Sequence, residues 1–139
     1  MVRQETGPEL AVYQFKVTLK GIRPPIWRRF QVTNNITLYK LHLVLQRVMG
    51  WDNYHLYQFF IQGISYGDPD PDYGLTDVNA RKVRLWQVLT EPKMKFVYQY
   101  DFGDDWRHEV VLEKTLPPVE GTQYQLDGLA DISHPELGW

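Results

Sequence analysis

Three carboxylates, a glycine, an arginine and a histidine crowd into one short stretch of this chain: Asp101, Gly103, Asp104, Asp105, Arg107 and His108. Carboxylate oxygens and imidazole nitrogens are ligands that divalent cations accept. Asp101, Asp105 and His108, joined by His55 from earlier in the chain, therefore form a candidate metal set. A cation held there would activate a bound water for hydrolysis, with an acidic residue assisting. Turn chemistry explains the same residues more simply. Asp and Gly are recruited to hairpins because Asp side chains accept from nearby backbone N–H groups and both residues reach unusual backbone angles. On that reading the carboxylates pair with Arg28, Arg29 or Arg107, and no cofactor is expected.

A second constellation is aromatic and basic. Trp27-Arg28-Arg29, Trp51, Tyr54, Trp106 and Arg107 are residue types that stack on bases or hold a peptide. Combined with the acidic turn, they outline a candidate binding surface: Trp27, Arg28, Arg29, Trp51, His55, Asp101, Asp104, Asp105, Trp106 and His108. The competing account buries the tryptophans in a core and points the arginines outward along a strand, neutralised by the turn. A net charge of −2 provides no global basic field for nucleic acid or membrane. A protein and a nucleic acid both remain open as partner, and the oligomeric state is not legible.

Other chemistries lack their parts. The absence of cysteine excludes disulfides, Cys-ligated zinc, iron–sulfur clusters and a thiol nucleophile. Asp68-Pro69-Asp70-Pro71-Asp72 places oxygens at alternate positions as a calcium loop does, but Tyr73 stands where glycine is needed and Asn79 where glutamate is. Gly63, Gly67 and Gly74 match no phosphate-binding spacing. The two serines, Ser65 and Ser133, are expected in loops without an arginine cluster. The balance leans away from an enzyme.

The elements that must position these residues read as one α+β domain of 139 residues. Residues 1–10 form a loose lead-in and 116–139 an irregular tail. Tyr13, Phe15, Val17 and Leu19 alternate with Gln14, Lys16 and Thr18, the period-2 signature of a strand with one buried face. Ile26 to Val32 pairs with it as a wide hairpin. Leu38, Leu41, Leu45, Val48 and Met49 recur at helical spacing, so a helix is expected over 38–49, with Thr37 as N-cap and Gly50 as its stop. His42 lies at the edge of that apolar face and is expected to be a hydrogen-bonded core residue. A strand over 56–62, a loop over 63–74, a helical turn over 85–89, and a hairpin of 93–100 with 106–112 complete the pattern. The sum is about five mostly antiparallel strands with one main helix on a sheet face. No apolar run is long enough to span a bilayer and no secretory leader is seen, so the cytoplasm is the expected compartment.

Tyr100-Asp101-Phe102-Gly103-Asp104-Asp105-Trp106-Arg107-His108 resembles the signature of the plasmid pRiA4b ORF-3-like family. Pro24-Pro25-Ile26-Trp27-Arg28-Arg29, the helix ending in Gly50-Trp51, and His55-Leu56 agree in the same order, so the resemblance spans residues 11 to 115. It implies an uncharacterised module whose relatives include insertion-sequence passengers labelled resolvase-like, and so a link to plasmids and mobile elements. The recombinase chemistry itself, a nucleophile flanked by arginines, is not found here. The chain also departs from the family's Cys-containing, Pro-Pro-Glu-Asp-Gly-Gly type of tail, with Tyr124-Gln125-Leu126-Asp127-Gly128 and His134-Pro135-Glu136-Leu137-Gly138-Trp139 in that region.

Overall fold

The structure is a computed structural model that describes residues 8–69, 77–119 and, for the backbone alone, 130–131. Its centre is one sheet. The alternating segments pair as expected: β1 (Val12–Leu19) with β2 (Ile26–Thr33), and β6 (Lys95–Tyr100) with β7 (Trp106–Leu116). β3 (Tyr57–Ile61) lies against β6.

Five strands is an undercount. Residues 63–74, expected to be loop, contain β4 (Ile64–Gly67), joined to β3 by a tight turn through Gln62 (φ 49°) and Gly63 (φ 82°). Two consecutive left-handed residues make the turn whose twist suits a hairpin, and glycine takes one of them without strain. Ser65 therefore lies in a strand and is buried, contrary to the loop expected for it. β5 (Val78–Asn79) pairs with β4 in parallel, so the sheet is mixed. These seven strands are joined at the β2 edge by β8 (Ala130–Asp131), which lies inside the tail expected to be irregular. The full order is β5-β4-β3-β6-β7-β1-β2-β8. Residues Tyr124 to Gly128 and His134 to Trp139 fall outside the described residues, as do Asp70 and Asp72 of the calcium-like loop.

One face of the sheet carries the core. Tyr13, Phe15 and Val17 of β1, Phe30 and Val32 of β2, Tyr57, Phe59 and Ile61 of β3, Phe96, Tyr98 and Tyr100 of β6, and Val110 and Leu112 of β7 all point there. Helix α1 (Leu38–Met49) covers it with Leu38, Leu41, Leu45 and Val48. Thr37 accepts from the Lys40 N–H at its N-terminus, as its side chain predicts. Gly50, at φ 78°, ends the helix, and the Trp51 N–H returns to Gln46 O at 2.8 Å. This cap turns Trp51 back toward the sheet. The short helix α2 (Leu85–Val88) begins beside an isolated bridge between Thr37 and Arg84. Among the described residues, no helix is long and apolar enough to cross a membrane.

Candidate binding surface

The acidic turn joining β6 to β7 is built largely for itself. Asp101 and Asp105 adopt left-handed angles, φ 64° and 58°, which Asp tolerates better than most residues. The Asp101 side chain accepts from the Asp104 N–H at 3.3 Å, and its backbone N–H donates to Leu56 O at 2.9 Å. These bonds fix the turn and place the Asp101 carboxylate 3.6 Å from His55 Nε2. Asp105 points elsewhere, accepting from Arg107 Nε at 2.9 Å and from Gln99 Nε2 at 2.7 Å. The pairing of Asp105 with Arg107 is the ion pair expected of an ordinary turn.

His108 leaves the candidate metal set on geometric grounds. It is fully buried, its Nδ1 bonds Tyr98 O at 3.0 Å, and its Nε2 accepts from Trp51 Nε1 at 3.1 Å. The indole N–H can only donate, so the proton of the neutral ring sits on Nδ1. Burial lowers the pKa of this imidazole and keeps it neutral. Both nitrogens are spent. Of the four residues expected to converge, only His55 and Asp101 meet, and among the described residues no group of three His, Asp or Glu is placed to hold a metal.

What does converge is aromatic. Trp51 lies 5.5 Å from Trp106 and 5.6 Å from Tyr100 between ring centres, and meets His108 edge-on at 6.1 Å. His55 stands edge-to-face on Tyr100 at 5.7 Å. Tyr54, whose backbone N–H donates to the Tyr100 hydroxyl at 2.9 Å, is 82% exposed. Trp51 and Trp106 are half-buried, packed on the core along one flank and open on the other. The result is an aromatic patch with the Asp101 carboxylate and the His55 ring at its rim.

A closed ring of hydrogen bonds aims this patch. Gln46 Nε2 donates to the Tyr98 hydroxyl at 2.7 Å, and Gln46 Oε1 accepts from the Asn53 N–H at 2.7 Å. His42 Nδ1 meets the same hydroxyl at 2.7 Å, and its Nε2 meets Asn53 Oδ1 at 2.8 Å. Asn53 Oδ1 is an acceptor, so His42 Nε2 carries the proton and Nδ1 receives the Tyr98 O–H. His42 is 1% exposed and stacks on Tyr57 with ring centres 3.7 Å apart. Desolvation pushes its pKa down to about 4. The core histidine expected at this position is thus also what holds Asn53, at φ 58°, just before Tyr54.

Trp27-Arg28-Arg29 does not join the patch. Alternation along β2 places Trp27 and Arg29 on the opposite face of the sheet, while Arg28 falls on the core side, across from Val17. Lys16 Nζ and the Arg29 guanidinium lie 5.0 and 5.1 Å from the Trp27 ring centre. Arg29 grips Glu113 with both ends of its guanidinium, at 2.7 and 3.0 Å. That pairing raises the pKa of Arg29 and lowers that of Glu113. Glu113 reaches it because the register between β1 and β7 shifts there: Gln14 faces Lys114 and Phe15 faces Leu112, leaving Glu113 as the extra residue of a bulge.

Asp68 is likewise engaged, accepting from Tyr57 at 3.0 Å and from Arg81 at 3.1 and 3.2 Å. Glu113, Gln46 and Asn53 had no mark in the sequence: Glu113 and Gln46 bond side chains 84 and 52 residues away, and Asn53 bonds back to helix α1 across a turn that no motif announces. Tyr100 could have been found, because it shares the alternating face of Tyr98.

Comparison with known proteins agrees with the sequence motifs. The family described as "Plasmid pRiA4b ORF-3-like protein" matches residues 11–135. The uncharacterized protein y4hQ of Sinorhizobium fredii (strain NBRC 101917 / NGR234) is 42% identical over 114 residues, which is 81% of this chain and 58% of that protein. The chain thus spans a little over half of that relative's length. A crystal structure titled as a protein of unknown function, MM3350 from Methanosarcina mazei Go1, superposes with a TM-score of 0.73 at 39% identity. That match covers 84% of this chain and 67% of the other.

Proposed function

We propose that this chain, which belongs to the plasmid pRiA4b ORF-3-like family, is a cytoplasmic binding module that engages a protein partner through the Trp51–Tyr54–Trp106 patch. The observation that carries this reading is the half-buried pair Trp51 and Trp106, 5.5 Å apart, followed closely in the chain by Tyr54, 82% exposed, on a backbone held by the Gln46–His42–Asn53 ring. Aromatic anchors held rigid before contact are the residues that concentrate binding energy at protein interfaces. The rim carboxylate of Asp101 favours a segment that brings a cationic side chain onto the rings.

A nucleic-acid partner would find its best footing at Trp27, Lys16 and Arg29. The bidentate bond to Glu113 spends the Arg29 charge there, and the chain is net acidic. The hydrolase reading retains only the His55–Asp101 pair from its four residues. Both fit the geometry less well than a protein-binding patch.

The test is selection of peptide ligands from a displayed random library against the intact chain, followed by Tyr54→Ala. Tyr54 is exposed, so its truncation leaves the fold stable. Selected peptides should bind the variant at least ten-fold more weakly at unchanged melting temperature. Failure to select any ligand, or ligands indifferent to Tyr54, would sink the proposal.

A further inference from the structure

A cavity opens where the outer face of the sheet meets the loop of residues 20–25, and it shares no residue with the aromatic patch. Thr18 of β1 and Glu109 of β7 are register partners. The alternation that sends Val17 and Val110 to the core sends both of them to the outer face. The Lys20 N–H donates to Arg107 O at 2.9 Å, which pins the start of the loop against β7. Pro24 and Pro25 stiffen its far end, because their rings fix φ. Between loop and sheet lies a volume of about 450 Å³, lined by Thr18, Lys20, Ile22, Arg23, Pro25 and Glu109. That size suits a small molecule. Lys20, Arg23 and Pro25 are exposed, so solvent reaches it.

The charges of this cavity are left apart. Elsewhere carboxylates close on the guanidinium groups beside them, Glu113 on Arg29, Asp68 on Arg81 and Asp105 on Arg107. Lys20, Arg23 and Glu109 line one space, yet among the described residues none of the three makes an ion pair. We infer that the cavity is a site for a free acidic amino acid, aspartate or glutamate. Lys20 and Arg23 each take one of its carboxylates, and Glu109 takes its α-ammonium. Two positive charges and one negative charge on the protein thus meet two negative charges and one positive charge on the ligand. A phosphate or a plain dicarboxylate satisfies the cations but sets an anion against Glu109. A simple amine satisfies Glu109 but meets two cations. A peptide bond removes either the ammonium or the α-carboxylate, so the free amino acid matches all three groups where a chain residue does not. Ile22 and Pro25 offer apolar wall to its methylene carbons.

The experiment is an NMR titration of the intact chain with L-glutamate and L-aspartate, and separately with glutarate, which lacks the ammonium, with L-glutamine, which lacks the second carboxylate, and with inorganic phosphate. It is read from the backbone amides of Thr18, Gly21, Ile22 and Glu109. At least one of the two acidic amino acids should shift these amides saturably. Glutarate, L-glutamine and phosphate should each bind about five-fold more weakly, or less well still, since each forfeits one partly exposed ion pair or meets a repulsion. Glu109→Gln should weaken the acidic amino acid to the level of glutarate while leaving glutarate no weaker. A linear response to both acidic amino acids overturns the proposal, as does equal or tighter binding of glutarate or phosphate. Preference for the amino acid over glutarate that survives Glu109→Gln overturns the role of Glu109. The ligand comparison uses the unaltered protein, so it stands even if the variant fails to fold.

Discussion

Acidification from pH 7 to pH 4 probes the hydrogen-bonded ring that holds Asn53 and Tyr54 in place. Burial lowers the pKa of His42 from 6.5 to about 4. Between those values the unfolded chain takes up a proton that the folded protein refuses, so stability falls as the pH falls. The His42 contribution is complete above about pH 6.5, is lost progressively down to about pH 4, and changes no further below that. The interval corresponds to about 3 kcal/mol at 1.36 kcal/mol per pH unit. For a chain of 139 residues this is about 10 °C in melting temperature. The structural cause is specific: a proton on Nδ1 would face the Tyr98 hydroxyl, whose oxygen already accepts from Gln46. His108, whose pKa is also lowered by burial, acts with the same sign. Urea unfolding of the wild type and His42→Gln, followed at half-unit pH steps, therefore isolates His42 in the difference between the two curves. That difference should shrink by about 3 kcal/mol from pH 7 to pH 4. A constant difference over this range would refute the ring as drawn.

Glu113→Gln should cost about 1 kcal/mol at pH 7, since it removes a bidentate, partly exposed ion pair. Arg29 holds the Glu113 pKa below its ordinary 4.5, so this contribution is present above that value and fades as the pH falls through the lowered one, a loss the variant should lack in denaturation at pH 7 and pH 3. Addition of Mn²⁺, Zn²⁺ or Mg²⁺ to chelator-treated protein should leave the melting temperature unchanged. A native-state ligand raises it by mass action, so a rise of several degrees would revive the hydrolase reading.

How far the sequence could lead depended on the range of the forces involved. Helix α1 was legible because its cap, apolar stripe and glycine stop are all local. The β6–β7 hairpin was legible for the same reason, and the alternation that put His108 between Trp106 and Val110 already implied its burial. β4 was missed because four residues in a Gly- and Asp-rich region give too little periodicity, and β5 because two residues give none. The split of the expected site also follows from local geometry. Period-2 alternation sends Trp27 and Arg29 to the face away from Trp51, and the two left-handed residues of the turn send Asp101 and Asp105 to different partners. The Arg29–Glu113 and His42–Tyr98 contacts join positions 84 and 56 residues apart, a separation that no motif spans.

If partners engage the Trp51–Tyr54–Trp106 patch, a selected peptide must bind there. In an amide and indole NMR titration of the intact chain, saturable shifts should concentrate at Trp51, Tyr54, His55, Asp101 and Trp106, with the Trp27 indole unmoved. Shifts centred on Trp27 and Arg29 instead, with the patch silent, would put the interface on the opposite face of the sheet and rule the patch out.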